Sequence, residues 1–449
     1  FRKKERSIID ATFAPNKAMA KKNMDSAPGA ERILKRIADR LLQQWPYSAP
    51  TYSIHLTTDL YVSPAVTEDH EILFPVGYLD LVQSDDEIAF LLGHELSHLL
   101  FLHAAKQSKK SKDQAVLRKF KYVAGGALLV HEGLLKNEDG SYKTDRDADE
   151  LRKLSEHSLT YYEHSRSLFS EVIHPSWQLR QEDEADLLAV ELMMKAGYSF
   201  EGIPQAFSTL EQLRSNACDA LMAFSKSMRG FVDTEMTTAV TKLTEGQGVD
   251  VKSQLVSGFK SVSKRKIEDA MRRQALPKTH RAYKKRLAYI DKFVSRDSLA
   301  EAFDRADTVE PSVILLDKLK RHGEFKSLLK SAEAAEKMSI ALRDGELDEA
   351  AKQLALVNQS TQYGRVLKYQ LRRQQGKQDT AYQNLMIASQ YTAPALEVDE
   401  KLIAYKLEHA NFDQAKTLLS RAEKQFKDDV HFLPEYVYIE TIKNKGKDA

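Results

Sequence analysis

The sequence predicts a mainly α-helical chain with a small β-sheet over residues 1–300, followed over 305–449 by an all-α domain of helical repeats. Three observations carry this. Short alternating stretches lie between residues 50 and 82 and are flanked by long apolar segments of helical period. The stretch Ser84-Asp85-Asp86-Glu87 is an S-x-x-E capping box opening one of those helices. After about residue 305 a small residue precedes an alanine by five positions three times over: Gly345 and Ala350, Gly376 and Ala381, Ala410 and Ala415.

Taken in order, Ile33, Leu34, Ile37 and Leu41 recur at helical spacing and predict a helix from about Pro28 to Gln44. "YSIHLTT" places Tyr52, Ile54 and Leu56 on one face and Ser53, His55 and Thr57 on the other, a half-buried strand. "EILFPVGYLDLV" follows as a second strand. Pro75 inside it cannot donate to a ladder, which predicts an edge strand able to accept an extended substrate around Ile72–Val76. The capped helix is expected to run from Ser84 to about Lys106. A polar stretch, Asn137–Glu150, precedes a helix from Pro175 to Lys195 that Gly197 closes, and a long helical stretch covers 205–275. The repeats resemble tetratricopeptide repeats, in which small residues let paired helices pack closely; Ala388 and Ala422 extend the match, with Val357 at that place in the first copy. Arrays of this kind bind protein or peptide.

The capped helix carries the chemistry. His94 and His98 are four apart in "LLGHELSHLLFLH", so both imidazoles stand on one face and can hold one metal ion, while Glu95 beside them can reach the attacking water. Polar side chains in so apolar a helix are costly unless something satisfies them. His103 stands on the opposite side and reads as structural. A catalytic zinc ion takes three protein ligands, and in "RQEDEADLLAVELMMKAGY" Glu182 and Asp186 also share a face. Glu182 can complete the site and Asp186 can orient a ligating histidine.

These two stretches, "SDDEIAFLLGHELSHLLFLH" and "RQEDEADLLAVELMMKAGY", resemble the HtpX/CAAX-prenyl-protease family of zinc metallopeptidases. The resemblance implies one zinc ion per chain on His94, His98 and Glu182, Glu95 as general base and Asp186 behind a ligand. "THRAYKKR" is similar to the family's downstream T-H-P-x-x-x-x-R segment and keeps His280 and Arg286, with Arg281 in place of the proline. His280 or Arg286 would then stabilise the oxyanion, or His280 would occupy the open zinc position and silence the enzyme, or His280 would be structural. A protease domain followed by repeats is most similar to the soluble BepA-like members. That implies an endopeptidase for unfolded or misassembled proteins, with the repeats docking substrate or a protein partner. The rival reading is a chaperone-like or scaffold protein with a structural or closed zinc site.

Bulk properties bound the rest. A net charge of +2 on 449 residues gives no reason to expect a nucleic-acid partner, and the basic runs Lys106–Lys112, Lys119–Lys121 and Lys284–Arg286 read as solvated surface. One cysteine, Cys218, excludes an intrachain disulfide, and nothing in its surroundings suggests a thiol nucleophile or a thiolate metal site. The chain opens on Phe1 rather than Met, which with the resemblance leads to the expectation of a soluble periplasmic or otherwise extracytoplasmic protein whose signal peptide has been removed. The apolar segment Tyr122–Val130 is too short to span a bilayer and leaves room for peripheral membrane association.

Overall fold

The computed structural model describes residues 27–67, 70–101, 179–231, 283–295, 308–391 and 395–426, together with Phe432, Glu435, Tyr436 and Ile439. The chain divides into two compact units. The first takes in Phe1–Lys109, Glu171–Cys218 and Ala275–Ala334, and the second Lys110–Ser170, Asp219–Gln274 and Ala335–Ala449.

In the first unit, helix α1 (Pro28–Leu42) buries Ile33, Leu34, Ile37 and Leu41, the stripe expected from their spacing. Its N-cap residue, Ala27, has no side chain with which to cap. The cap comes from far along the chain: Glu324 Oε2 accepts the backbone N–H groups of Gly29 at 2.7 Å and Ala30 at 3.1 Å. Strands β1 (Ser53–Thr57), β2 (Ala65–Val66) and β3 (Glu71–Pro75) form a sheet of order β1-β3-β2. β1 runs parallel to β3, with Ile54 opposite Ile72, and β2 antiparallel, with Val66 opposite Ile72.

This corrects the expectation that Ile72–Val76 is an edge. β3 is central, and β1 and β2 are the two edges. Pro75 is tolerated because it is the last residue of the strand, where the ladder ends, and it leads directly into helix α2 (Val76–Leu81). The run 76–81 is helix rather than the expected strand, since a short apolar stretch has the same pattern in either state.

Helix α3 (Asp85–Leu100) begins at the expected cap: Ser84 Oγ accepts the Glu87 N–H at 3.1 Å. Glu87 reaches back to the Gln83 N–H rather than to that of the cap residue, and also accepts the Tyr78 hydroxyl. Helices α4 (Leu179–Lys195), α5 (Gly202–Phe231) and α6 (Tyr283–Val294) follow. Gly197 closes α4 as expected, at φ +73°, with the Tyr198 N–H on the Met193 carbonyl. Helix α7 (Ile314–Arg321) is capped in trans by Asp85, whose carboxylate accepts the N–H groups of Leu315 at 3.0 Å and Leu316 at 2.6 Å. Asp86 takes the N–H groups of Ser199 and Ser312, so the first turn of α3 is tied to two distant segments. Burial raises the pKa values of Asp86 and Glu87, and these hydrogen bonds oppose the rise. One apolar core joins α1, the sheet, α3, α4 and the first half of α5.

Helix α8 (Gly323–Arg343) carries the chain onward. The second unit contains α9 (Leu347–Leu354), α10 (Gln362–Gln374), α11 (Gln378–Ser389), α12 (Leu396–Glu408) and α13 (Phe412–Phe426). The alanines at repeat spacing, Ala350, Ala381, Ala388, Ala415 and Ala422, are all buried. The small residues that precede them, Gly345, Gly376 and Ala410, stand at φ +78°, +73° and +55°. The same hydrogen bond follows each of them: Glu346 N–H to Ala341 O, Lys377 N–H to Arg372 O and Asn411 N–H to Lys406 O. Three successive helix hairpins therefore turn through one Schellman geometry.

Ala410 pays for a left-handed conformation that its two counterparts adopt freely. Ala410→Gly is expected to stabilise the chain by about 0.5 kcal/mol, since relief of the αL strain is partly offset by the greater freedom of glycine in the unfolded chain. Gly376→Ala is expected to cost about 1 kcal/mol, a purely conformational loss because a Cβ there would meet no atom within 4 Å. Urea unfolding of both variants measures this; a destabilised Ala410→Gly would contradict it.

Among the described residues no helix is long and apolar enough to cross a membrane. Residues 102–178 and 232–282, which hold His103, the basic runs before Lys121, the Tyr122–Val130 segment and His280, lie outside the described residues.

Candidate metal centre

Two helices build the site, and their spacing is set by small residues. A Cβ placed on Gly93 of α3 would stand 3.2 Å from both Cα and Cβ of Ala189 on α4. That close approach brings the His94 and His98 face of α3 against the Glu182 and Asp186 face of α4.

All four side chains are buried, and Glu182 is 2% exposed. Nε2 of His98 lies 3.1 Å from Nε2 of His94, and Glu182 oxygens lie 3.4 Å from His94 Nε2 and 3.7 Å from His98 Nε2. One ligand atom from each of the three lies within 4.8 Å of the others. Bonds of 2.0–2.2 Å from a tetrahedral zinc ion require ligand atoms roughly 3.3–3.6 Å apart. The two imidazoles and one carboxylate therefore fit zinc in chemistry and in spacing. His94 Nδ1 donates to Asp186 Oδ1 at 2.9 Å, which fixes the ring's tautomer and leaves the Nε2 lone pair facing inward. His98 and His94 stack edge to face with centroids 4.7 Å apart.

The electrostatics are those of a buried, strongly coupled cluster. Burial works against a charged His94, but hydrogen bonds and charge from Asp186 and Glu182 outweigh it and raise its pKa to about 10. Burial pushes Glu95 up to about 8, against the charge of His94 and a hydrogen bond from the Val66 backbone N–H. Burial would also raise Asp186, yet the Arg286 guanidinium and hydrogen bonds from His94 and Arg286 hold it below the ordinary carboxylate range.

Glu95 is the neighbour of His94 and is buried, and among the described residues its Oε2 has no hydrogen-bond partner. Its link to Val66 is a feature that sequence reading missed. Thr67 N–H bonds back to Glu71 O within the sheet, so in the alternation of an antiparallel pair Val66 turns its N–H to the outer edge, toward α3. No side-chain signal could have revealed this, because the donor is main chain.

Arg286 was expected on a solvated basic run, and the structure corrects that. Lys284 and Lys285 are exposed, whereas Arg286 is buried at 3% exposure. A helical turn of period 3.6 carries it to the inner face of α6, where its Nε and Nη2 lie 2.7 and 2.5 Å from the two Asp186 oxygens. The guanidinium also lies 4.7 Å from the centre of the Phe207 ring.

Comparison with the curated proteins finds no significant match. A family model, Peptidase family M48, matches residues 28–294, a span that contains the sheet and every described residue of the metal centre. M48 peptidases use zinc, and two imidazoles and a carboxylate stand here at the spacing that a tetrahedral zinc ion needs. With that match over more than half its length, the chain belongs to peptidase family M48 and is a zinc metallopeptidase.

Proposed function

We propose that this peptidase is an endopeptidase of protein quality control that cleaves unfolded or misassembled chains and uses its helical repeats to dock substrate or a protein partner. The observation that carries the reading is the outer edge of β2, which runs past Glu95 at Val66. The Val66 N–H is engaged by Glu95, so an extended chain adding to that edge would be held through the outward Val66 carbonyl, beside the metal ligands and with little demand on its side chains. Only a segment free of its own secondary structure can lie that way.

His94, His98 and Glu182 would hold one zinc ion. Zinc, when bound, supplies Lewis acidity toward the scissile carbonyl and water. Glu95 takes the proton from the attacking water and delivers it to the leaving amine, the double task of a positioned carboxylate. The Val66 N–H holds the Glu95 carboxylate in place, and Asp186 keeps the proton of His94 on Nδ1. His280 keeps the two roles the resemblance implies, oxyanion stabiliser or occupant of the open position.

The repeat turns at Gly345, Gly376 and Ala410 support a tetratricopeptide-like domain, and such domains present extended binding surfaces. A periplasmic or other extracytoplasmic location belongs to the same reading.

The test compares zinc-loaded full-length protein on reduced casein and on a natively folded globular protein. Cleavage of casein alone, abolished by 1,10-phenanthroline, is the expected result. Equal cleavage of both would overturn the preference for unfolded chains. Bound zinc with cleavage of neither would move the assignment to a scaffold with a closed site.

A further inference from the structure

We infer that Arg286 is a positioning residue for the metal ligand His94 and acts on it through Asp186. The inference rests on His94 being a ligand. A carboxylate that accepts one hydrogen bond can still swing about it. Asp186 cannot, because Arg286 engages both of its oxygens, Nε at 2.7 Å from Oδ2 and Nη2 at 2.5 Å from Oδ1. Oδ1 also receives the His94 Nδ1–H at 2.9 Å, so one oxygen joins the guanidinium fork to the imidazole. The plane of the fork thereby sets the plane of the carboxylate, and the carboxylate sets the rotation of the ring.

The fork is itself held by packing. It lies over Phe207, whose ring stacks on Tyr283 at 5.5 Å and 22° and meets Phe90 edge-on at 5.3 Å. These rings come from α5, α6 and α3, so three helices fix the guanidinium and it in turn fixes a ligand carried by α3. In sequence Arg286 stands 100 residues from Asp186. Docking of α6 is then a condition for a well-oriented site, and Arg286 works at one remove from the chemistry rather than as an oxyanion contact.

The experiment measures zinc affinity of the full chain by competition with a chromophoric chelator. The variants are Arg286→Met, Arg286→Lys, Asp186→Ala and the double variant Arg286→Met/Asp186→Ala. Loss of a hydrogen-bond partner behind a ligand typically weakens metal binding 10–100-fold. Arg286→Met is expected in that range. Arg286→Lys should weaken binding by about fivefold, because an ammonium keeps the charge but not the planar fork. In the Asp186→Ala background, loss of Arg286 should add less than about threefold, since the route to His94 is already cut.

Zinc affinity within twofold of wild type in Arg286→Met or Arg286→Lys would overturn the proposal. So would a double variant whose losses multiply. If Arg286→Met fails to fold, Arg286→Lys decides. A wild-type chain that binds no zinc would instead sink the assignment of His94, His98 and Glu182, a failure distinct from the other two.

Discussion

Glu95→Gln is expected to retain one zinc ion per chain and to lose cleavage of unfolded casein by a factor of about 10²–10⁴, the contribution of a positioned general base. The substitution is nearly isosteric, and its carbonyl can still accept the Val66 N–H that Glu95 accepts. The amide cannot take a proton from water. Because Glu95 is not one of the three converging groups, metal content should not change. Metal analysis and casein turnover on the same preparation check both halves. Activity within tenfold of wild type would remove Glu95 from the mechanism, and loss of zinc would show that it serves the metal instead.

Glu182→Gln is expected to have the second large effect, loss of the metal itself. Glu182 brings the negative charge to a site whose other two ligands are imidazoles, which bind a metal in their neutral form, and it is buried at 2% exposure between them. An amide of equal size keeps the packing and removes the charge and most of the donor strength. Zinc affinity should fall by more than the 10–100-fold that typifies loss of a group behind the ligands. Metal-linked stability should fall with it, since a ligand present at 100 times its Kd stabilises the folded chain by about 2.7 kcal/mol. Melting curves of wild type and variant, each with zinc and with chelator, give the result. The expected pattern is a zinc-dependent shift in wild type and none in Glu182→Gln. An equal shift in both would exclude Glu182 as a ligand.

How much of this was legible in the sequence depended on the range of the interaction. The pairs His94 and His98, and Glu182 and Asp186, are each four apart, so helix geometry alone put each pair on one face. The cap at Ser84 and the stop at Gly197 involve neighbours within a few residues and formed as expected, whereas Gly345, Gly376 and Ala410, expected to let paired helices pack closely, serve left-handed turns instead, and a Cβ on either glycine would meet no atom within 4 Å. Pro75 misled because its local rule concerns a ladder position. Only the pairing partners reveal that this position lies at the end of a central strand.

What the sequence by itself determined is therefore the set of local devices: the helices, their caps and turns, and the two ligand-bearing faces. The tertiary structure alone decided the strand order that makes β2 the edge beside Glu95. It also decided the capping of α1 by Glu324 and of α7 by Asp85, and the burial of Arg286 against Asp186. The physical reason is the same in each case. A backbone N–H is identical at every residue but proline, and a carboxylate or guanidinium that will be satisfied a hundred or more residues away carries no mark of its partner in the local pattern. Those partners are chosen when the core of α1, the sheet, α3 and α4 closes and each buried polar group must find a mate.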